Sequence, residues 1–244
     1  MSRRLLAALV VLFLATVVVR FPARWALGLA PKGTSCATVT GSAWQGSCLG
    51  LQAQGLHVDT LDWQLHPLAL LRMRLGASLQ ASDARFTARG DIELGIGARV
   101  AVHALSAAFP LDATLLPMLP RGWLGQAQVE LASAQFTQGR PSGIVGTIAV
   151  QSLRQLSPLL EFGNYTLRFT TPPDAQGRQR GDLADAGGPL ALNGTVTLGT
   201  DGQYEIEGMA AAREGAPPEL TRMLELLGPA DSAGRRPFSV AGTF

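Results

Sequence analysis

LDWQL at residues 61–65 and LGASLQAS at residues 75–82 alternate apolar with polar side chains almost one for one. A period of two puts Leu61, Trp63 and Leu65 on one side of an extended chain and Asp62 and Gln64 on the other. Leu75, Ala77, Leu79 and Ala81 oppose Ser78, Gln80 and Ser82 in the same way. The period continues outward: Phe86 and Ala88 against Arg85, Thr87 and Arg89, then Ile92, Leu94 and Ile96, then Val100, Val102 and Ala104. Consecutive segments of this kind predict an antiparallel meander with one apolar face. The fold class is therefore mainly β: a long antiparallel sheet, free to be curved or half-rolled, with a few short helices.

Pro110, Pro117 and Pro120 interrupt the pattern, so Leu115–Leu119 is expected to be at most a short helix or an irregular cap. Ala127, Val129 and Leu131 restart the alternation, and Ile144, Ile148 and Val150 continue it. Leu153–Phe162 has the spacing of a short helical connection, before Tyr165, Leu167 and Phe169 return to a strand. Gln176–Gly188 is polar and rich in Gly and Asp, which predicts a hairpin or mobile loop. Leu190, Leu192, Val196 and Leu198, a turn at Asp201-Gly202, then Tyr204 and Ile206 make the clearest hairpin. Pro217 and Pro218 open a helix in which Leu220, Met223, Leu224 and Leu227 share a face, favouring core packing over docking on a membrane, and Gly228-Pro229 closes it. Phe238, Val240 and Phe244 predict a last strand.

Ahead of this body, Leu5–Val19 is an unbroken apolar run with Arg3 and Arg4 before it and Arg20 after it. As a helix it covers about 22 Å, short of the roughly 30 Å hydrocarbon core. That length lies between a signal peptide and a membrane span, and a buried core helix is the third option. The nearest small-residue cleavage pattern, Gly28-Leu29-Ala30, precedes Pro31, which disfavours cleavage. Arg20 and Arg24 can reach the interface beside Phe21 and Trp25, adding about a turn of effective span. The expected organisation is a cytoplasmic tail at 1–4, a single-pass anchor at 5–27 and a periplasmic β domain at 31–244. Charge alone does not orient it, but a short tail is the easier side to keep in the cytoplasm.

Charged residues make up 16% and the net charge is +2, with several arginines near the apolar run, so no basic face for nucleic acid is expected. The two cysteines, Cys36 and Cys48, can pair in an oxidising compartment, where closing such a loop is worth about 3 kcal/mol, or stand as unpaired small hydrophobes. With no histidine between them they do not make a zinc site. The strong enzyme signatures are absent: no G-x-S-x-G, P-loop, H-E-x-x-H or paired C-x-x-C occurs. His57 and His66 are placed on neighbouring strands with His103 far along, so they do not cluster. Gly95-Ile96-Gly97 lacks a third glycine, and Asp182 with Asp185 reads as a solvated loop rather than a cation site. No catalytic residue, metal ligand or cofactor is assigned.

Two sets of local motifs carry a resemblance. The first is Gly41-Ser42-Ala43-Trp44-Gln45-Gly46 followed by Trp63-Gln64-Leu65-His66-Pro67-Leu68. The second is Gly163-Asn164-Tyr165, Asp185 with Gly188-Pro189-Leu190, Gly194, Gly202-Gln203-Tyr204, Gly208, Leu227-Gly228 and Gly234-Arg235. In this order the chain resembles, over essentially its whole length, the type II secretion system protein N family; the cysteine pair is a departure from it. Physically these residues read as structural: Gly41 and Gly46 bracket Trp44 so that its ring can pack on the sheet, Gly188-Pro189 sets entry into the strand at Leu190, and Tyr204 is a cross-strand aromatic. The resemblance implies a bitopic inner-membrane scaffold, not an enzyme, that helps export folded proteins across the outer membrane. Its partners would be the secretin or the inner-membrane platform. It also supplies an alternative, because similar long curved sheets hold lipid: an apolar face lining a groove would make this a lipid-binding or lipid-conducting protein.

Overall fold

The computed structural model describes residues 22–23, 33–53, 56–113, 119 and 121–243. The expected anchor and the Leu115–Leu119 cap fall, apart from Leu119, outside these residues or largely so. Among the described residues no helix is long and apolar enough to cross a membrane. What is described is one antiparallel sheet of thirteen strands in chain order. The first six strands are β1 (Thr34–Gly41), β2 (Gln45–Ala53), β3 (Leu56–His66), β4 (Leu75–Ser82), β5 (Thr87–Gly95) and β6 (Arg99–Leu111). The middle of the sheet is β7 (Trp123–Thr137), β8 (Arg140–Leu156), β9 (Leu159–Phe169) and β10 (Gln179–Asp185). The last three are β11 (Leu190–Leu198), β12 (Gln203–Ala212) and β13 (Arg236–Thr243), with helix α1 (Pro218–Glu225) between the final two. Because β1 and β13 do not pair, the sheet is open and has two edges.

The up-and-down order gives the sheet two ends. At the proximal end lie the β1–β2, β3–β4, β5–β6 and β7–β8 turns; at the distal end lie the β8–β9 and β10–β11 turns and α1. From β2 to β13 a row of opposed residues can be followed, interrupted at the β5–β6 register shift and between β9 and β10. It runs Gly46↔Trp63↔Leu79↔Gly90, reaches Leu105↔Leu131↔Gly146↔Phe169, and leaves through Gly181↔Val196↔Ile206↔Val240. Directly opposed residues share a face, so this row lies along the middle of the apolar side. Keeping it apolar requires corrections to the strand phase. Ala104, expected to continue the apolar series, is instead a left-handed residue (φ 49°) at the register shift between Arg89 and Asp91 on β5. The extra residue transfers the inward phase from Val102 to Leu105 and Ala107.

Two further expectations are corrected and one is narrowed. Leu153–Phe162 is not helical: it is the end of β8, a turn at Ser157-Pro158 and the start of β9, with Leu156 opposite Leu159. The leucine spacing there suits a helix, but both leucines at the hairpin tip are exposed and their neighbours pair across strands. Of the two alternatives at Gln176–Gly188 the hairpin holds and the mobile loop does not, because β10 within it pairs with β9 and β11. Pro110 lies inside β6, where the pairing to β5 has already stopped at Ala108; that stretch has one neighbour only, and such an edge tolerates a missing N–H. The 190–206 hairpin, the helix after Pro217 and the strand at Phe238 are present.

Burial is uneven. The core cluster is Leu160, Phe162, Tyr165, Leu190, Ala210, Leu220 and Leu224, with the Trp123 ring stacked on Phe162 at 4.9 Å between centroids. It sits at the distal end beneath α1, whose Leu220 and Leu224 point into the sheet while Met223 and Leu227 stay partly exposed. No described element packs on the apolar face over β3–β7. Where β9 stops short, Gln179, buried to 1% exposure, takes the place of a strand: its Oε1 accepts from Ile144 N–H (3.1 Å) and its Nε2 donates to Thr171 O (2.6 Å). Because α1 covers the core through two buried leucines, Leu220→Ala is expected to lower stability by about 3 kcal/mol through lost burial and a residual cavity. Urea unfolding followed by circular dichroism measures it, and a loss below about 1 kcal/mol would mean that α1 is not part of the core.

Candidate functional site

The residues of the second motif set converge on the distal end. Gly163 and Gly188 stand backbone against backbone: a Cβ on Gly188 would lie 2.4 Å from Gly163 Cα, and one on Gly163 would lie 2.4 Å from Gly187 O. Asn164 N–H donates to Gly187 O and Ala186 N–H donates to Asn164 O, each at 2.7 Å, so the two segments are tied as a short ladder. The Asn164 side chain works in the other direction. Its Oδ1 accepts from the N–H of Ser152 (2.8 Å), a left-handed residue (φ 51°) at the β8 irregularity. The Tyr165 hydroxyl donates to Phe162 O at 2.6 Å inside the core.

Asp185 and Arg213 close this knot. Asp185 accepts from the N–H groups of Gly187 (3.3 Å) and Leu192 (3.2 Å) and from Arg213 Nη2. Arg213 also donates through Nη1 to Gly188 O (2.9 Å) and through its backbone N–H to Pro189 O (2.8 Å), while its own carbonyl accepts from Ala216 N–H at the approach to α1. One carboxylate and one guanidinium thus join the β10–β11 turn to the end of β12 and to the helix that follows. Burial works to raise the Asp185 carboxyl, but the hydrogen bonds from Arg213, Leu192 and Gly187 outweigh it and hold it below the usual carboxylate range. Tyr165 is pushed up to about 12, first by burial and then by the Asp185 charge, against a smaller opposing effect of Arg213. Asp182 and Asp185 therefore do not form a solvated loop pair; Asp185 is a clamp.

The first motif set builds the proximal corner. Ser42 Oγ accepts from the N–H groups of Trp44 (3.3 Å) and Gln45 (3.2 Å), which holds the turn between Gly41 and Gly46. The ring that lies over glycine is Trp63: a Cβ on Gly46 would fall 2.5 Å from its Cζ2, and its Nε1 donates to Ala43 O (3.1 Å). Trp44 contributes its carbonyl, which accepts from Leu65 N–H (2.6 Å), and Pro67 opens the 3-10 turn Pro67–Arg72. Tyr204 lies over Gly242 in the same manner, its hydroxyl 2.6 Å from where a Cβ would stand. Cys36 and Cys48 are bonded in the structure, joining β1 to β2 with Cα atoms 5.8 Å apart.

Asp174 and Asp231 repeat a turn of the form D-x-x-G-R. Each carboxylate accepts from the N–H groups two and four residues on and from the arginine Nε, with Gly177 and Gly234 in left-handed conformations. The N–H of Arg178 and of Arg235 is the leading cause that holds each carboxyl below its ordinary range. His57 and His66 are on the same strand, β3, contrary to the sequence expectation; each side chain on a strand needs only its local partner, Asp59 for His57 and Ser78 for His66. His57, Asp59 and Asp83 bring their ligand atoms within 4.8 Å of one another at a largely exposed corner. No nucleophile–base pair is formed among the residues singled out from the sequence, and what they make is two structural joints. Arg213, Ser152 and Trp123 belong to those joints and had no local sequence signal; only the burial of Asp185 creates the demand for a cation.

The chain matches the family described as type II secretion system (T2SS), protein N, over residues 32–239. It belongs to that family. It is 26% identical over 236 residues to the type II secretion system protein N of Vibrio cholerae serotype O1 (strain ATCC 39315 / El Tor Inaba N16961), covering 93% of this chain and 92% of that protein. Against the type II secretion system protein N of Aeromonas hydrophila it is 26% identical over 257 residues, covering 98% and 97%. No solved structure matches the chain significantly. The family match spans both joints, and it makes the chain a type II secretion component.

The raised Tyr165 gives a pH signature for the distal joint. With a folded pKa of about 12 against about 10 unfolded, the phenol's contribution is complete below pH 10 and is lost as pH rises towards 12, on the order of 2 kcal/mol. The alkaline slope of stability between pH 10 and 12 should therefore be shallower in Tyr165→Phe. Equal slopes in the two proteins would show that the hydroxyl is not held as described.

Proposed function

We propose that this chain is a single-pass inner-membrane scaffold of the type II secretion apparatus, anchored through residues 5–27 with residues 31–244 in the periplasm. In this reading the sheet joins other secretion components, the secretin or the inner-membrane platform, by strand addition. Family membership supports the setting, and the observation that carries the mode of action is the edge strand β13. Pro237 guards its first residues, but Phe238–Thr243 bears no charge and no second proline, and Val240 is 49% exposed. Natural edges are usually blunted by such residues, so an uncharged edge of this length suits a partner strand. The opposite edge, β1, is likewise uncharged, and beside its end Pro22 already bridges to Ser42.

A second reading is favoured by one feature. The apolar row over β3–β7 has no described element packed on it, and a lipid chain would cover Trp63, Leu79, Leu105 and Leu131 there. Mass spectrometry of the purified protein separates the readings, since the scaffold reading requires no stoichiometric lipid.

Two outcomes test the scaffold. Fractionation of cells should recover the full-length chain in the inner membrane with residues beyond Ala30 open to periplasmic protease; a soluble form beginning near Pro31 would end the anchor reading. Val240→Lys with Ala241→Lys should leave the fold intact, because both positions are exposed, yet reduce crosslinking from β13 to secretion components about tenfold or more, the loss expected when charges block an edge. Unchanged crosslinking would place the contact elsewhere.

A further inference from the structure

At the proximal end of the sheet, large apolar side chains stand in solvent together. Leu68, Leu70 and Met73 project from the 3-10 turn between β3 and β4, at 77%, 46% and 74% exposure, and Ile96 from the neighbouring β5–β6 turn at 72%. Apolar groups gathered at one tip in this way mark an interaction site. Cations surround them: Arg72 and Arg99 are exposed and have no acidic partner among the described residues, while Arg74 is paired with Glu93 at 3.2 Å. The free charge at the tip is positive.

The position of this tip in the chain names its occupant. Pro22 bridges to Ser42 in the β1–β2 turn, so the chain enters the sheet at this same end. Val19, the last residue of the apolar run, is three residues earlier, within roughly 10 Å of extended chain. From the β1–β2 turn to β5 is about three strand spacings, roughly 14 Å. We propose that the proximal tip rests on the anionic surface of the bilayer that holds the anchor, with Leu68, Met73 and Ile96 entering the headgroup layer and Arg72 and Arg99 meeting lipid phosphates. The inference rests on the anchor reading above. Apolar insertion together with basic side chains is the chemistry of interfacial docking. It fixes the sheet relative to the membrane, pointing the distal joint and α1 away from it.

The test uses the full-length chain reconstituted in vesicles of phosphatidylethanolamine and phosphatidylglycerol. Ile96→Cys and, as a control at the distal end, Leu159→Cys (73% exposed in the native protein) carry an environment-sensitive fluorophore; the native cysteines, being bonded, do not react. A blue-shifted emission quenched by spin-labelled lipid is expected at position 96 and not at 159. Replacing Arg72→Gln or Arg99→Gln should weaken the tip's association about fivefold for each charge removed. A water-exposed label at 96 in chains that float with the vesicles overturns the proposal, as does quenching unaffected by either arginine. Protection of position 96 that appears only when other membrane proteins are present also overturns it, assigning the tip to a protein partner. Wild-type chains that fail to float refute the anchor reading itself and this inference with it, so the two failures are told apart by flotation.

Discussion

A bulky side chain laid across a glycine of the next strand is the contact on which the sheet depends. Trp63 covers Gly46, Leu131 covers Gly146, Phe169 covers Gly181, Phe238 covers Gly208 and Tyr204 covers Gly242. In each case a Cβ on the glycine would fall within 3 Å of the neighbouring side chain, and at Gly146 and Gly208 closer still to the facing backbone, so the glycine lets both strand and large group approach. Where no described element covers the sheet, apolar surface is buried within its own plane, and folding large groups down over glycines does that.

The two halves of the sheet are held by different means. Around β9–β13 there is a packed cluster with α1 over it, and the Asp185–Arg213 clamp sets where that helix leaves β12. Around β1–β4 there is the Trp63 corner, a disulfide and hydrogen bonds across strands, such as that from Ser78 to Asp91. The packed half therefore supplies rigidity and carries the β13 edge, while the more open half leaves a face for use. For a protein of a secretion apparatus that division is physically sensible: an interaction surface has to remain unsatisfied in the free chain, which only a firmly folded neighbouring region can sustain.

Much of this was legible in the residue pattern. Leu61–Leu65 and Leu75–Ser82 announce strands because side-chain direction on extended backbone alternates with no help from distant residues. The 190–206 hairpin is equally local, since Asp201-Gly202 suits the turn and both flanks alternate. The failures share a cause. At Leu153–Phe162 the leucine spacing favoured a helix, and tertiary pairing with β7 and β9 overrode it. At Gln179–Asp185 polarity left a mobile loop open beside a hairpin, whereas a strand between two others satisfies its backbone and needs little apolar side chain.

By itself the sequence determined the class of fold, the apolar run ahead of it, the order of strands in the last hairpin and the glycine and aromatic positions that carry the family resemblance. These depend on spacing along the chain. Only the tertiary structure decided which aromatic meets which glycine, that Arg213 answers Asp185, that Ala104 shifts the phase of β6, and that the exposed apolar groups at Leu68 and Ile96 share one end with Pro22. Each of these is set by the register between strands distant in sequence, and register is a property of the assembled sheet that no local pattern contains.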